Sequence, residues 1–247
     1  MGYQGRDVEI VSINPEQYLV VACDSCGAIG LKELDQVKVA PTIVGRLTMR
    51  GALLEIITTG SQPQLATIAI SNELDPTGTE ILTGVHHELA AFDLDSLPLA
   101  ISSEKNMHTQ QTGLGVSVVG LCAKTALRIA TTRPGDIVYC LGIPKMGSEV
   151  HSPDDPQIVQ SHHLQKLLLQ NAIHDIVPVG SQGIRSEAVC LASSIAGRLI
   201  LNPSPGIDLA KSAGPSTCLI FSTAVPFADT FLDSIPCHQI GKITLSI

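Results

Sequence analysis

Tryptophan is absent from this 247-residue chain, and aromatic residues make up only 3% of it. Its core must therefore be aliphatic, drawn from the Val, Ile, Leu and Ala of a 44% hydrophobic composition with mean hydropathy +0.28. Long apolar runs are missing too: no stretch approaches the ~18 consecutive apolar residues that a membrane span needs. The opening residues, Met1-Gly-Tyr-Gln-Gly-Arg-Asp7, hold no apolar signal region, so a cytoplasmic chain is expected, with no membrane partner. Basic charge is scarce. Fifteen Lys and Arg against 23 Asp and Glu leave a net charge of −8, which argues against nucleic acid as a partner, because phosphate backbones require basic surface. No Walker A, GxSxG or HExxH pattern occurs, which removes the common NTPase, hydrolase and zincin readings.

Seven cysteines are present, an odd number in a chain without an export signal, and they read as reduced thiols. Cys122, Cys140, Cys190 and Cys218 fall in apolar runs and look like small core residues. Cys23 and Cys26 form one C-x-x-C, but no second pair completes a zinc site. The histidine pairs His86-His87 and His162-His163 lie in expected helices, where neighbours point ~100° apart and cannot act as one ligand set.

The excess acid is unevenly placed. Residues 1–125 hold 14 acids and 7 bases, residues 126–247 hold 9 and 8. Such an imbalance either solvates a surface or marks a carboxylate site that metal ions neutralise.

Short apolar runs punctuated by Gly, Pro, Asn and Asp predict alternating strands and helices. Strands are expected at 8–13, 18–23, 37–39, 64–71, 97–102, 113–122, 136–142, 174–179 and 239–246, with more short strands between the last two. Helices are expected at 42–59, 78–92, 157–172, 184–196 and near 226–233. A boundary is expected near 123–136, dividing an N-terminal unit (1–125) from a C-terminal one (126–247). The fold class is α+β or mixed α/β.

Within this frame several carboxylates attract chemistry. Glu55 sits in an apolar helix, some 140° around from Arg50, so Arg50 cannot neutralise it from the same helix. Either another element supplies an ion pair or a metal does. Asp24 is expected at a strand end beside Gly27 and Gly30, which would let backbone approach a phosphate. The Ser71-Asn72-Glu73 segment and Glu104 also follow expected strands, and Asp35 lies in Lys32-Glu-Leu-Asp35, which could be no more than a solvated turn. Hard oxygen ligands converging from several elements suit Mg²⁺ on a nucleotide, with Lys32, Lys105 and Arg46 available as positive charge.

The order of these motifs resembles the superfamily of aminoimidazole-ribonucleotide synthetase, thiamine-monophosphate kinase, selenophosphate synthetase and the hydrogenase-maturation dehydratase. The segment Leu54-Glu-Ile-Ile-Thr-Thr-Gly-Ser-Gln-Pro63 resembles the family helix nlSDiaAMGa.P, with Glu55 in place of its aspartate. Ser102-Ser-Glu-Lys105 stands where the family has GGDt, and Asp24 in CDSCGAIG stands at its acidic motif. Thr112–Gly120 and Arg133-Pro-Gly-Asp-Ile-Val-Tyr139 are similar to the strand and turn leading into the second lobe. Val179-Gly-Ser-Gln-Gly-Ile184 occupies the place of DxSDGL without its acids, and Gly214-Pro-Ser is like a late sGP turn.

Within the superfamily the pattern is most similar to the α-ribazole kinases. The resemblance implies a two-lobed fold, with an N-terminal lobe whose strands form a β-barrel across a homodimer and a C-terminal α+β lobe. It implies ATP and Mg²⁺ as cofactors and a nucleoside-like acceptor, α-ribazole, in cobamide lower-ligand salvage. Asp24, Glu55 and Glu104 would hold metal. Asp35, Glu73 and Lys105 would act on the acceptor and the developing charge. Gly27, Gly30, Lys32, Arg46 and Asn72 would contact the nucleotide. An ATP-dependent synthetase of the same superfamily and a non-catalytic nucleotide-binding protein are the alternatives.

Overall fold

A computed structural model describes residues 2–227 and 235–245. The helix expected near 226–233 falls almost entirely outside them.

Residues 8–123 supply one five-stranded sheet. Its strands are β1 (Val8–Ser12), β2 (Gln17–Gly27), β5 (Gln62–Ile70), β6 (Leu99–Ser103) and β7 (Gly113–Ala123), in the order β1-β2-β7-β5-β6. Only β5 and β6 run parallel; the other neighbours are antiparallel. A two-stranded pair, β3 (Ile29–Gly30) and β4 (Val37–Lys38), follows β2. Residues 137–245 supply a second, wholly antiparallel sheet in the order β10-β12-β8-β11-β9. Here β8 is Ile137–Leu141, β9 Ile173–Pro178, β10 Gly197–Leu201, β11 Leu219–Thr223 and β12 Cys237–Leu245. Neither sheet closes into a barrel among the described residues.

Helix α1 (Pro41–Thr58) lies between the sheets. Pro41 suits the first turn, where no amide partner is lost, and Gly60 and Pro63 prevent continuation. The helix is buried on nearly every side, as its sequence predicts. Helix α2 (Thr79–Ala91) crosses it so closely that a Cβ on Gly45 would meet the Ile81 carbonyl oxygen at 2.1 Å, and one on Gly84 the Thr42 carbonyl oxygen at 2.0 Å. Glycine at both positions permits the crossing.

One apolar core includes Val20, Leu53 and Ile68 from the first half together with Leu141, Ile176 and Phe221 from the second. A separate cluster beneath α4 (Gly183–Ser193) joins Val138, Ile184, Ala188, Ile220 and Ile243.

The expected 157–172 helix is shorter, α3 at Ser161–Leu168. The chain before it is held against α1 instead, with Arg50 Nη1 donating to the carbonyls of Pro153 (2.8 Å) and Val159 (3.1 Å). Strand β2 is longer than expected, since its pairing with β7 continues unbroken to Gly27 opposite Gly113. Asp24 is therefore a strand residue and not a loop residue. The same extension separates Cys23 and Cys26: three residues apart on a strand, they point to opposite faces. The chain has no helix long and apolar enough to cross a membrane among the described residues.

Candidate functional site

On β2, Val20 and Ala22 face α1 and are buried, and the pleat continues that face to Asp24 and Cys26. Asp24 is admitted by Gly51 of α1, where a Cβ would sit 2.3 Å from its Oδ2. Burial pushes its carboxyl up to about 6, opposed by the Ser25 amide and reinforced by Asp7. Asp24 also borders a cavity of about 390 Å³. The cavity lies between α1 (Ile43, Leu47) and the second-half loops carrying Met146, Val150 and Pro215. Among the described residues no Lys, Arg or His lines it.

Glu55 lies one helical turn beyond Gly51. Its cation comes from ahead of β1: Arg6 Nη2 approaches Glu55 Oε2 at 3.8 Å, with both side chains mostly buried (7% and 13% exposed). That distance exceeds a hydrogen bond, and Oε2 has no hydrogen-bond partner among the described residues. Burial raises the Glu55 carboxyl to about 8, against the pull of Arg6 and with the added repulsion of Asp7, Glu187 and Asp24. Glu187, on α4, is itself raised to about 7 by burial and by Asp7. Asp7, Asp24, Glu55 and Glu187 thus form one electrostatically connected group drawn from both halves of the chain. Arg6 donates through Nη2 to Thr58 Oγ1 (2.9 Å), while its Nε and Nη1 have no hydrogen-bond partner among the described residues. Among the described residues no three His, Cys, Asp or Glu side chains already converge to hold a metal ion.

Arg6, Asp7 and Glu187 are not singled out by the sequence reading. The available signals were an Arg-Asp pair directly before the first strand and the single acid in α4, just past the segment that lacks the family acids.

The other expected residues are placed elsewhere. Asp35 is buried and accepts from the Thr112 amide, the Thr112 hydroxyl and the Lys32 amide (2.7, 2.7 and 2.8 Å), which fastens the 31–36 loop to β7. Both its oxygens accept hydrogen bonds, which makes it an anchor of that loop. Gly30 joins this anchor, as a Cβ there would lie 2.7 Å from Asp35 Oδ2. Asn72 is fully buried between Thr109, Gln111 and the Gly113 amide. Lys32 pairs with Glu73 (2.5 Å), which also accepts from Thr77; the hydrogen bonds from Lys32 and Thr77 outweigh slight burial and hold the Glu73 carboxyl low.

Arg46 turns to α2 and the 150s loop, pairing with Glu88 (3.0 Å) and forking onto Asp154 (2.7 Å to each oxygen). Glu104 accepts from the amides of Asn106 and Met107, which lower its carboxyl. Asp24, Val116, Ile68 and Ile101 form one row across the sheet. Glu104, past the end of β6, is therefore three strand spacings from β2, roughly 14 Å. Lys105 beside it is exposed. The structure brings Asp24 and Glu55 together and leaves Glu104 and Lys105 on a distant rim.

No family model matches the chain, and no curated protein matches it. Solved structures do. The thiamine monophosphate kinase of Aquifex aeolicus superposes with a TM-score of 0.67 at 16% identity, over 96% of this chain and 88% of that one. A chain of a HypE–HypF complex gives 0.65 at 15% identity, over 98% and 88%. T. maritima PurL complexed with ATP gives 0.60 at 11% identity, over 98% of this chain and 38% of that one. At these identities what is shared is the fold, and this chain has a mixed α/β fold similar to that of these solved structures.

Proposed function

We infer that the chain is an ATP- and Mg²⁺-dependent small-molecule kinase, and that its acceptor is the nucleoside α-ribazole, phosphorylated in the cytoplasm during salvage of a cobamide lower ligand. The observation that carries the reading is Glu55, a mostly buried carboxylate whose Oε2 has no hydrogen-bond partner among the described residues, set among Asp7, Asp24 and Glu187. An arrangement of like charges with one long ion pair calls for a further cation. The donor set is all oxygen, of the kind Mg²⁺ prefers; no three of these side chains converge among the described residues, so they would have to draw together to hold it. When bound, Mg²⁺ would neutralise charge on the phosphates of ATP. Transfer of a phosphoryl group in line to a hydroxyl depends on positioning and charge neutralisation rather than on an enzyme nucleophile.

Asp24 belongs both to the carboxylate group and to the wall of the 390 Å³ cavity. A hydroxyl compound in the cavity would therefore reach the same carboxylates that hold the cation. The cavity is within the range of small-molecule sites, and its apolar lining without Lys, Arg or His favours an uncharged, base-bearing acceptor over one that already carries a phosphate. Glu104 and Lys105 would approach only from the outer rim.

Homodimerisation across the first sheet is part of the same proposal. Val8, Val20, Val116, Val118 and Ile68 are buried against the helices, so the pleat turns Val11, Leu19, Val21, Val119, Leu121 and Leu65 to the opposite face. No described element covers that face, and Val11 (60%) and Leu65 (38%) are exposed. A second copy packed there would complete a two-subunit barrel.

The test is incubation with ATP, Mg²⁺ and α-ribazole, followed by mass spectrometry. ADP and a monophosphorylated nucleoside are expected. ADP formed with a different hydroxyl compound would keep the kinase and replace the acceptor; a dehydrated or cyclised product would make it a synthetase.

A further inference from the structure

We propose that a second cavity, beside the one bordered by Asp24, is an anion subsite, and that the two together take an organic oxyanion: a phosphate monoester or carboxylate carried on a ring-sized apolar body. The inference goes beyond the kinase reading, because it concerns what binds along α1 and not which bond is made there.

The second cavity has a volume of about 460 Å³. Val37, Val39, Ile43 and Val150 line both cavities, so the two adjoin along one aliphatic strip. The polar side chains of the second are Gln36 and Lys38 from β4 and its approach, and Ser148 and His151 from a second-half loop. Among the described residues no Asp or Glu lines it. In a chain of net charge −8, a wall of basic and neutral groups alone makes a local positive field, which gathers anions.

The charge of that wall is not spent on nearby acids. Lys38 Nζ donates to the backbone carbonyls of Lys32 and Glu33, the latter at 3.0 Å. These neutral acceptors use two of its three donors and leave its charge without a carboxylate partner among the described residues. Asp155, whose ionised form His151 favours, is committed to Lys145 at 2.6 Å. Glu149, next to Ser148, is committed to Lys211 at 2.7 Å.

The combined cleft is also polarised along α1. Its inner end holds Asp24, packed on Gly51. Ile43, on the shared wall, lies eight residues before Gly51 in the helix, roughly 12 Å away at 1.5 Å per residue. An oxyanion is repelled from the Asp24 end and drawn to the Lys38 end, which sets one orientation: acid outward, apolar body between Ile43, Leu47 and Val150. A ligand that fills both cavities excludes the acceptor from the inner one and so competes with it.

The measurement is calorimetric binding of 2-naphthyl phosphate, 2-naphthoate, 2-naphthol and inorganic phosphate in Mg²⁺-free buffer, to wild type, Lys38→Gln and His151→Glu. Both side chains are exposed, so neither substitution threatens the fold. In wild type the naphthyl acids are expected to bind about three- to thirtyfold more tightly than 2-naphthol, the range for two solvent-reached charge pairs. They are also expected to exceed inorganic phosphate, which leaves the apolar cavity unfilled. Added salt should narrow the margin over 2-naphthol. Lys38→Gln, and His151→Glu, which leaves the Lys38 hydrogen bonds intact, should each weaken the acids by about threefold or more and leave 2-naphthol unchanged. Tighter binding of one acid alone supports the subsite and identifies its ligand as a phosphate ester or as a carboxylate. Acids that bind no tighter than 2-naphthol, a margin that both variants retain, an equal loss for acids and 2-naphthol, or no binding of any probe would overturn the proposal. None of these outcomes bears on ATP turnover, which the α-ribazole assay tests separately.

Discussion

Replacing Glu55 with Gln separates a functional carboxylate from a structural ion pair, because the two readings give stability changes of opposite sign. In the metal-free protein the Glu55 carboxyl is raised from 4.5 to about 8, with burial as the largest cause and Asp7, Glu187 and Asp24 adding to it. At pH 7.5 such a rise corresponds to about 4 kcal/mol of stability withheld from the fold, at roughly 1.4 kcal/mol per pH unit. Gln has the shape of the protonated acid and removes that penalty. The rise is already net of the attraction to Arg6, which at 3.8 Å and without a hydrogen bond is the weaker contribution. We expect Glu55→Gln to be more stable than wild type by about 1–4 kcal/mol in metal-free buffer at pH 7.5, from denaturant titration. The same protein should show no Mg²⁺-dependent rise in melting temperature and no turnover of ATP. A variant destabilised by about 3–5 kcal/mol, the cost of breaking a structural buried pair, would refute this reasoning and return Glu55 to Arg6 as a plain ion pair.

The stability of the metal-free protein should fall as pH rises from about 5 to 8. Asp24, Glu187 and Glu55 are raised to about 6, 7 and 8, so the folded state holds protons that the unfolded chain releases near pH 4. Stability from these groups is complete below their unfolded values and is lost on passing the folded ones. Melting curves between pH 5 and 8.5 would show the decline, and a flat profile would contradict it. Saturating Mg²⁺ should flatten the slope, since a metal favours the ionised carboxylates. Glu88→Ala, which strands the fully buried Arg50 and loosens Arg46, should cost about 3–5 kcal/mol in denaturant titrations; a loss below 1 kcal/mol would show that the cluster does not hold the 150s loop to α1. Val119→Arg, on the uncovered sheet face, should convert a dimer to a monomer in light scattering, whereas a wild type already monomeric at micromolar concentration would remove the dimer proposal.

The sequence carries the local signals well. Pro41, Gly60 and Pro63 bracket α1, and alternation in Gly113–Ala123 gives a strand with one buried face. The angular argument that Arg50 cannot serve Glu55 also holds in three dimensions, where Arg50 turns to Glu88 on α2. Glu88 gave no such signal. Its partners stand 38 and 42 residues away, and no helical period relates residues on different helices. Asp35 shows the converse: the resemblance gives it a part in acting on the acceptor, yet Thr112, 77 residues on, bonds both of its oxygens.

By itself, then, the sequence determined the order of elements, the aliphatic core and the anomaly of an acid in an apolar helix. Those properties depend on neighbours within a few residues. Only the tertiary structure decided which charges meet. It set Arg6, Asp7 and Glu187 around Glu55, brought Asp24 to the cavity wall, and left Glu104 across the sheet. Pairing over such separations is fixed by strand order and helix crossing, which no local pattern encodes.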